Sequence, residues 1–247
     1  VIHNVEGIVI RTTDYGEGNK IITILSEQGE KVSLMARGAR KSRSRLSSVT
    51  QLFTEATFTF YRSSGMGTLK HGEAIQHHHA LRADLYASAY SSYIVELLDR
   101  LMNDEEASAY LYQQLQLALQ AIEQDKDPVV ITQIVELKML KFAGYDPVLH
   151  HCARCGEQKP LISFSPSAGG GLCSSCSSQD TYTIKVTERT LKMIYWLQHI
   201  DLGQINNINV SQQMKDEVSL CIRHFYDMYI PIKWKARNFI DQLNKWL

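Results

Sequence analysis

The sequence predicts an α+β fold: an N-terminal five-stranded OB-fold β-barrel followed by a helical bundle with an inserted four-cysteine zinc knuckle. Three observations in the 247 residues lead there. Apolar side chains recur every second position up to about residue 77, then with a period near 3.6 from about residue 80, and two C-x2-C pairs interrupt the helical half. The expected division is residues 1–79 for the barrel and 80–247 for the helices, with the metal-binding insertion at about 148–180.

The strands come first. Val5 to Thr12 is β-branched and apolar, Ile21 to Leu25 is an apolar run, and Lys31 to Ala36 sets Val32, Leu34 and Ala36 on one face. Ala56, Phe58 and Phe60 alternate with Thr57, Thr59 and Tyr61, and a last run covers Thr68 to Ile75. Gly16-Glu17-Gly18-Asn19, Glu27-Gln28-Gly29 and Ser63-Ser64-Gly65 supply turns between them. Five strands this short favour a closed barrel, since closure removes unpaired edges.

The helices follow. Tyr86, Tyr90, Tyr93, Ile94, Leu97, Leu98 and Leu101 form one stripe, and Leu111, Leu115, Ala118, Leu119 and Ile122 a second. Asp127-Pro128 is a cap and first-turn pair opening a third helix, with Ile134, Leu137 and Leu140 inside and Gly144 near its end. Thr187 is expected to cap a helix through Trp196 and Ser211 another through about Tyr229; Pro231 interrupts before a final helical stretch to Leu247. His77-His78-His79 reads as a polar linker, because three consecutive side chains of an extended chain cannot face one ion.

Cys152-Ala-Arg-Cys155 and Cys173-Ser-Ser-Cys176 give C-x2-C-x17-C-x2-C, a spacing suited to zinc. Each turn aims two thiolates at one point, and two turns complete the tetrahedron that Zn²⁺ accepts, filling every coordination position and leaving none for catalysis. One structural zinc per chain is therefore expected. Disulfides fit poorly with five cysteines in a chain that reads as cytoplasmic, and neither pair has the βαβ context of a redox motif. His150 and His151 read as solvated, and Cys221 as a core residue within a helical stripe.

A net charge of zero hides an uneven distribution: +3 over residues 1–80, −6 over 81–146 and +3 over 147–247. Arg37-Gly38-Ala39-Arg40-Lys41-Ser42-Arg43-Ser44-Arg45 carries five positive charges and no negative one, in a loop or short helix at the barrel rim. Arginine forks suit phosphate oxygens, and Arg37, Arg40, Lys41, Arg43 and Arg45 are the candidate nucleic-acid contacts, extended by Lys20 and Lys31 and by Arg62 and Lys70. Phe53, Phe60 and Tyr61 are possible stacking platforms; strand alternation assigns Phe60 to the core and leaves Tyr61 the better candidate. No phosphate-binding loop, H-E-x-x-H or G-x-S-x-G occurs, Gly16-Glu17-Gly18 reads as a hairpin, and nothing recommends catalysis or a small-molecule substrate. No apolar run is long enough for a membrane helix and no signal peptide is evident, so a cytoplasmic location is expected.

These residues together resemble the RecO family. Tyr15-Gly16-Glu17 before an apolar strand, Ala36-Arg37-Gly38-Ala39-Arg40-Lys41 ending in Ser44-Arg45-Leu46, and Gln51-Leu52-Phe53 resemble its amino-terminal domain. Tyr93-Ile94-Val95-Glu96-Leu97-Leu98 resembles its first long helix. Gly144-Tyr145-Asp146-Pro147 leading to Cys152-Ala-Arg-Cys155-Gly156, and Gly170-Gly171-Leu172-Cys173, resemble the entry and exit of its zinc knuckle. The match runs to about residue 180 and more weakly beyond; Gly18-Asn19 departs from the charged residues of many relatives. The resemblance implies a DNA repair and recombination mediator that binds single- and double-stranded DNA and anneals complementary strands without nucleotide. It also implies action with RecR to load RecA onto strands coated by single-strand-binding protein. The acidic helical middle would be a protein-contact region. A reading from the residues alone also admits an RNA-binding barrel protein.

Overall fold

Five strands close on themselves, so that large apolar residues fill an interior and no edge is left open. In a computed structural model, which describes residues 1–103, 107–206 and 208–245, these are β1 (Ile2–Tyr15), β2 (Asn19–Ser26), β3 (Lys31–Ala36), β4 (Glu55–Tyr61) and β5 (Gly67–Gln76). They form a closed barrel in the order β1-β2-β3-β5-β4, with β3–β5 parallel and the other pairs antiparallel. This is the OB-type barrel expected. Ile22, Ile24, Leu34, Phe58 and Phe60 fill its interior. β1 extends beyond Val5–Thr12 at both ends because a bulge between Val9 and Arg11 bends it, so its start pairs with β4 and its end with β2.

Three helices complete the first compact unit, Val1–Asp125: α1 (His79–Ala83), α2 (Leu85–Leu101) and α3 (Ala109–Glu123). They pack on one another, and α2 and α3 also pack on the barrel. The turn between β2 and β3 fits closely under the start of α3. Gly29 has φ 85° there, and a Cβ on it would lie 2.1 Å from the Ser108 carbonyl carbon.

The histidine run is not a polar linker. His78 is fully buried, its Nδ1 stands 2.7 Å from Glu123 Oε2, and Gln76 Nε2 donates to the same oxygen at 2.9 Å. The tight passage from β5 into α1 turns the ring inward, and Arg82 donates to the carbonyls of Leu52 and His77 at 2.8 and 2.6 Å. Glu55, also buried, accepts from Tyr112 Oη at 3.0 Å and from Gln116. Burial and the adjoining Glu55 carboxylate raise Tyr112 far above the ordinary phenol range.

The second unit, Lys126–Leu247, is built around α4 (Pro128–Phe142). Asp127 caps it through the amides of Val129 and Val130, as its sequence suggests. Nearly every α4 side chain from Val129 to Leu140 is buried, the polar Thr132, Gln133 and Glu136 included, because α4 lies inside the bundle rather than on it. It packs against α6 (Glu188–His199) and α7 (Gln212–Tyr229), whose N-caps are Thr187 and Ser211. α6 runs past the expected end at Trp196. α8 (Lys235–Leu243) is the final helix; Trp246 and Leu247 of the predicted stretch lie outside the described residues. Cys221 is a core residue, its thiol pushed up to about 12 by burial. Between α4 and α6 the chain forms a small sheet of β6 (Leu161–Ser165), β7 (Gly170–Cys173) and β8 (Ile184–Lys185), with the single-turn α5 (Ser174–Ser177). Among the described residues no helix is long and apolar enough to cross a membrane.

Candidate metal centre and nucleic-acid interface

The four cysteines reach one point by two routes. The first pair sits on a turn closed by Gly156 N–H donating to the Cys152 carbonyl at 2.9 Å, with Gly156 at φ 73°. The second pair follows the β6–β7 hairpin: Cys173 ends β7, and one helical turn of α5 brings Cys176 round beside it. All four Sγ atoms lie within 4.8 Å of one another, with Cys155 and Cys173 at 4.0 Å, and none is in a disulfide. Zn–S bonds of about 2.3 Å in a tetrahedron separate sulfurs by about 3.8 Å, so the quartet fits such an ion.

Electrostatics agree with that fit. Burial opposes ionisation of Cys152, yet amides of Cys155, Cys173 and Arg154 outweigh it and hold the thiol at about 6. Cys176 is pushed up to about 12 by burial and by its contacts with the other three sulfurs. Four thiolates this close repel one another unless a cation sits between them.

Three further features hold the two turns together. Arg154, inside the first turn, donates to the Cys176 carbonyl at 3.3 Å and to Asp180 Oδ2 at 3.5 Å. Asp180 also accepts from Tyr182 N at 2.8 Å and Ser165 Oγ at 3.0 Å; the Tyr182 amide, against burial, holds its carboxyl below the usual range. Val148 brackets Gly170, donating to the Gly169 carbonyl and accepting from Gly171 N, both at 2.9 Å. His150 is exposed and His151 half-buried, their rings 4.2 Å apart edge to face, and neither belongs to the sulfur cluster.

The basic loop has no helix; it is a chain of turns tied to the barrel. Ala39 and Val49 are buried in the barrel core with Leu46 packed against it, so the loop is anchored within its charged stretch and again just beyond it. Arg37, Arg40, Lys41, Arg43 and Arg45 are all exposed. The β1–β2 turn supports them: Asn19 Oδ1 accepts from Gly38 N at 2.8 Å, and Arg40 donates to the carbonyls of Gly18 (3.1 Å, through N) and Gly16 (3.2 Å, through Nη1). Arg40 Nε also lies 3.3 Å from Asp14. Asn19 was missed from sequence; its position in a Gly-rich hairpin was the only clue.

Lys20 is half-buried on β2, opposite Asp14 and Ala36. Lys31 lies apart from this group. Its side chain is 9% exposed, and Nζ donates to the carbonyls of Asp99 and Met102 at 3.0 Å, neutralising the carbonyl end of α2. A lysine used in this way is not offered to phosphate. Phe53 is buried with φ 70° near the end of the β3–β4 connection, so it offers no stacking face, and Phe60 is in the core as alternation indicates. Tyr61 is exposed.

Fold and site together define a class: a protein with an amino-terminal OB barrel, an anchored basic loop, and a helical region interrupted by a four-cysteine knuckle. Family models for recombination protein O match at both ends of the chain, the N-terminal model over residues 1–78 and the C-terminal model over 82–238. The DNA repair protein RecO of Bacillus cytotoxicus is 41% identical over 245 residues, covering 99% of each chain. Those of Bacillus cereus and Bacillus anthracis are 42% identical with the same coverage. The chain belongs to the RecO family of DNA repair proteins.

Proposed function

We propose that this chain is a DNA-binding, strand-annealing mediator of recombination that catalyses no covalent step. It acts with RecR to load RecA onto single-stranded DNA coated by single-strand-binding protein, in the cytoplasm at the nucleoid. In this reading residues 1–79 are the DNA-binding domain, and residues 80–247 the helical domain that meets protein partners, with the knuckle at about 148–180. Family membership supports the repair role. The observation that carries the DNA contact is the set of five exposed cations on a loop anchored to the barrel within its charged stretch and just beyond it.

The geometry suits annealing. Arg37, Arg40, Lys41, Arg43 and Arg45, with Lys20 beside them, meet phosphates rather than base edges, so bases stay free to pair. Cations on one rigid rim also lower the repulsion between two incoming backbones. The Asp14 carboxylate holds the Arg40 fork until phosphate takes its place. Cys152, Cys155, Cys173 and Cys176 would hold one structural zinc, which cross-links the two turns and supplies no catalytic position.

Replacing Arg40, Lys41, Arg43 and Arg45 together by glutamine should weaken binding to a single-stranded oligonucleotide and flatten the plot of log K against log salt by up to about 3. The same variant should anneal complementary strands coated with single-strand-binding protein more slowly than wild type. An unchanged salt slope would remove the loop from the mechanism. Tighter binding to RNA than to DNA of equal length would transfer the reading to an RNA-binding barrel.

A further inference from the structure

The outer wall of the barrel carries a row of side chains that the loop and the knuckle do not use. Directly paired residues on neighbouring strands share a face. The register links Ile2 to Tyr61, Tyr61 to Thr68, Thr68 to Met35 and Met35 to Ile21. Their chain neighbours Phe60, Leu69, Leu34 and Ile22 are all buried, so this row faces outward. It crosses five strands, about 19 Å at the usual strand spacing, and only Thr68 in it is polar. Ile2 is 60% and Tyr61 48% exposed.

A cation completes the row at its most exposed ring. The register of β4 with β5 slips between Thr59 and Phe60, leaving Lys70 unpaired between Leu69 and His71. The bulge frees Lys70 from strict alternation, and its ammonium sits 5.2 Å from the centre of the Tyr61 ring. Arg62 follows Tyr61 directly, and the basic loop begins at Arg37, two residues beyond Met35. An exposed aromatic face bordered by cations suits one kind of occupant, a strand of nucleic acid whose bases are unpaired. A duplex turns its base faces inward and cannot use a flat ring in this way; a single strand can stack on it while its phosphates meet Lys70 and Arg62.

We propose that Tyr61, with Lys70 over its ring, is a base-stacking position that gives the barrel its preference for single-stranded over double-stranded DNA. The inference rests on the reading of the barrel as the DNA-binding region. It separates two contributions: the loop supplies affinity for any backbone, and Tyr61 supplies discrimination.

The test measures binding of the full chain to a fluorescent oligothymidylate and to a duplex of equal length at one salt concentration. Tyr61→Thr is the informative variant, since Thr57 and Thr59 already occupy the same outer face. Binding to the single strand should fall about 5- to 100-fold, with duplex binding within twofold of wild type and the salt slope unchanged. Tyr61→Trp should bind the single strand at least as tightly as wild type, and Tyr61→Phe should bind close to it. Equal loss on both substrates, or no loss on the single strand, would overturn the stacking role. If the four-residue loop variant also bound both substrates like wild type, the DNA-binding reading itself would fall. If the loop variant lost affinity while Tyr61→Thr did not, only the inference would.

Discussion

His78 holds a left-handed backbone (φ 50°) with a fully buried ring whose Nδ1 meets Glu123 Oε2 at 2.7 Å. A non-glycine residue in that region costs about 1–2 kcal/mol, so the contact must offset it. His78→Ala keeps the strained backbone and removes the partner, leaving Glu123 with Gln76. Urea denaturation should show a loss of about 1–3 kcal/mol with an unchanged m-value. A variant as stable as wild type would mean that the pair contributes nothing net. Arg154 is the second residue to test. It joins the first cysteine turn to the second through the Cys176 carbonyl and Asp180. Groups that orient metal ligands commonly change affinity about 10- to 100-fold, so Arg154→Ala should speed release of zinc to a chromophoric chelator while stoichiometry stays at one per chain. At this scale the cysteine quartet was readable because its information is local spacing. His78 was not, because its partner lies 45 residues away and its conformation is imposed by the turn. Lys31 was misread for a related reason: nothing local tells that the carbonyls of Asp99 and Met102 will surround it.

Elements with a strong period were legible, and those whose existence depends on a neighbour were not. The five barrel strands, and the helices α2, α3, α4, α6 and α7, follow from alternation, apolar stripes and caps. The knuckle's sheet did not announce itself, because β7 and β8 are four and two residues long and carry no period. What builds that sheet is a close approach of backbones. Gly170 has φ 156°, and a Cβ there would stand 2.1 Å from the Val148 carbonyl oxygen. Gly170→Ala must therefore push Val148 away and open the entry to the first cysteine turn. We expect a loss of at least about 2 kcal/mol, together with substoichiometric zinc on purification. Gly65→Ala is the control, since its Cβ meets nothing within 4 Å although φ is 60°. It should keep full zinc content. Equal zinc loss in the two variants would show that Gly170→Ala acts through general destabilisation rather than through the approach to Val148.

At the scale of the whole chain, the cysteine quartet and the barrel belong to different compact units, and each unit has its own buried core. The barrel interior is continuous from Val9 to Leu69 and includes no residue of the knuckle. The knuckle buries four apolar side chains, Leu149, Leu161, Phe164 and Leu172, but without a cation its four sulfurs have no reason to stay within 4.8 Å. A cation held by the quartet would make metal binding and folding of the knuckle one equilibrium, as in other small thiolate sites. Stripping zinc with a chelator and a thiol reagent should abolish amide protection over residues 148–180, while protection in the barrel strands stays within experimental error of the loaded protein. Acid should act as the chelator does, because protons compete for the thiolates. Single-strand affinity and its salt slope should survive, since the exposed cations from Arg37 to Arg45 are fastened by Ala39, Val49 and Asn19 rather than by sulfur. Loss of barrel protection on zinc removal would mean that the two units fold as one, and the separation of backbone binding from the metal site would have to be abandoned.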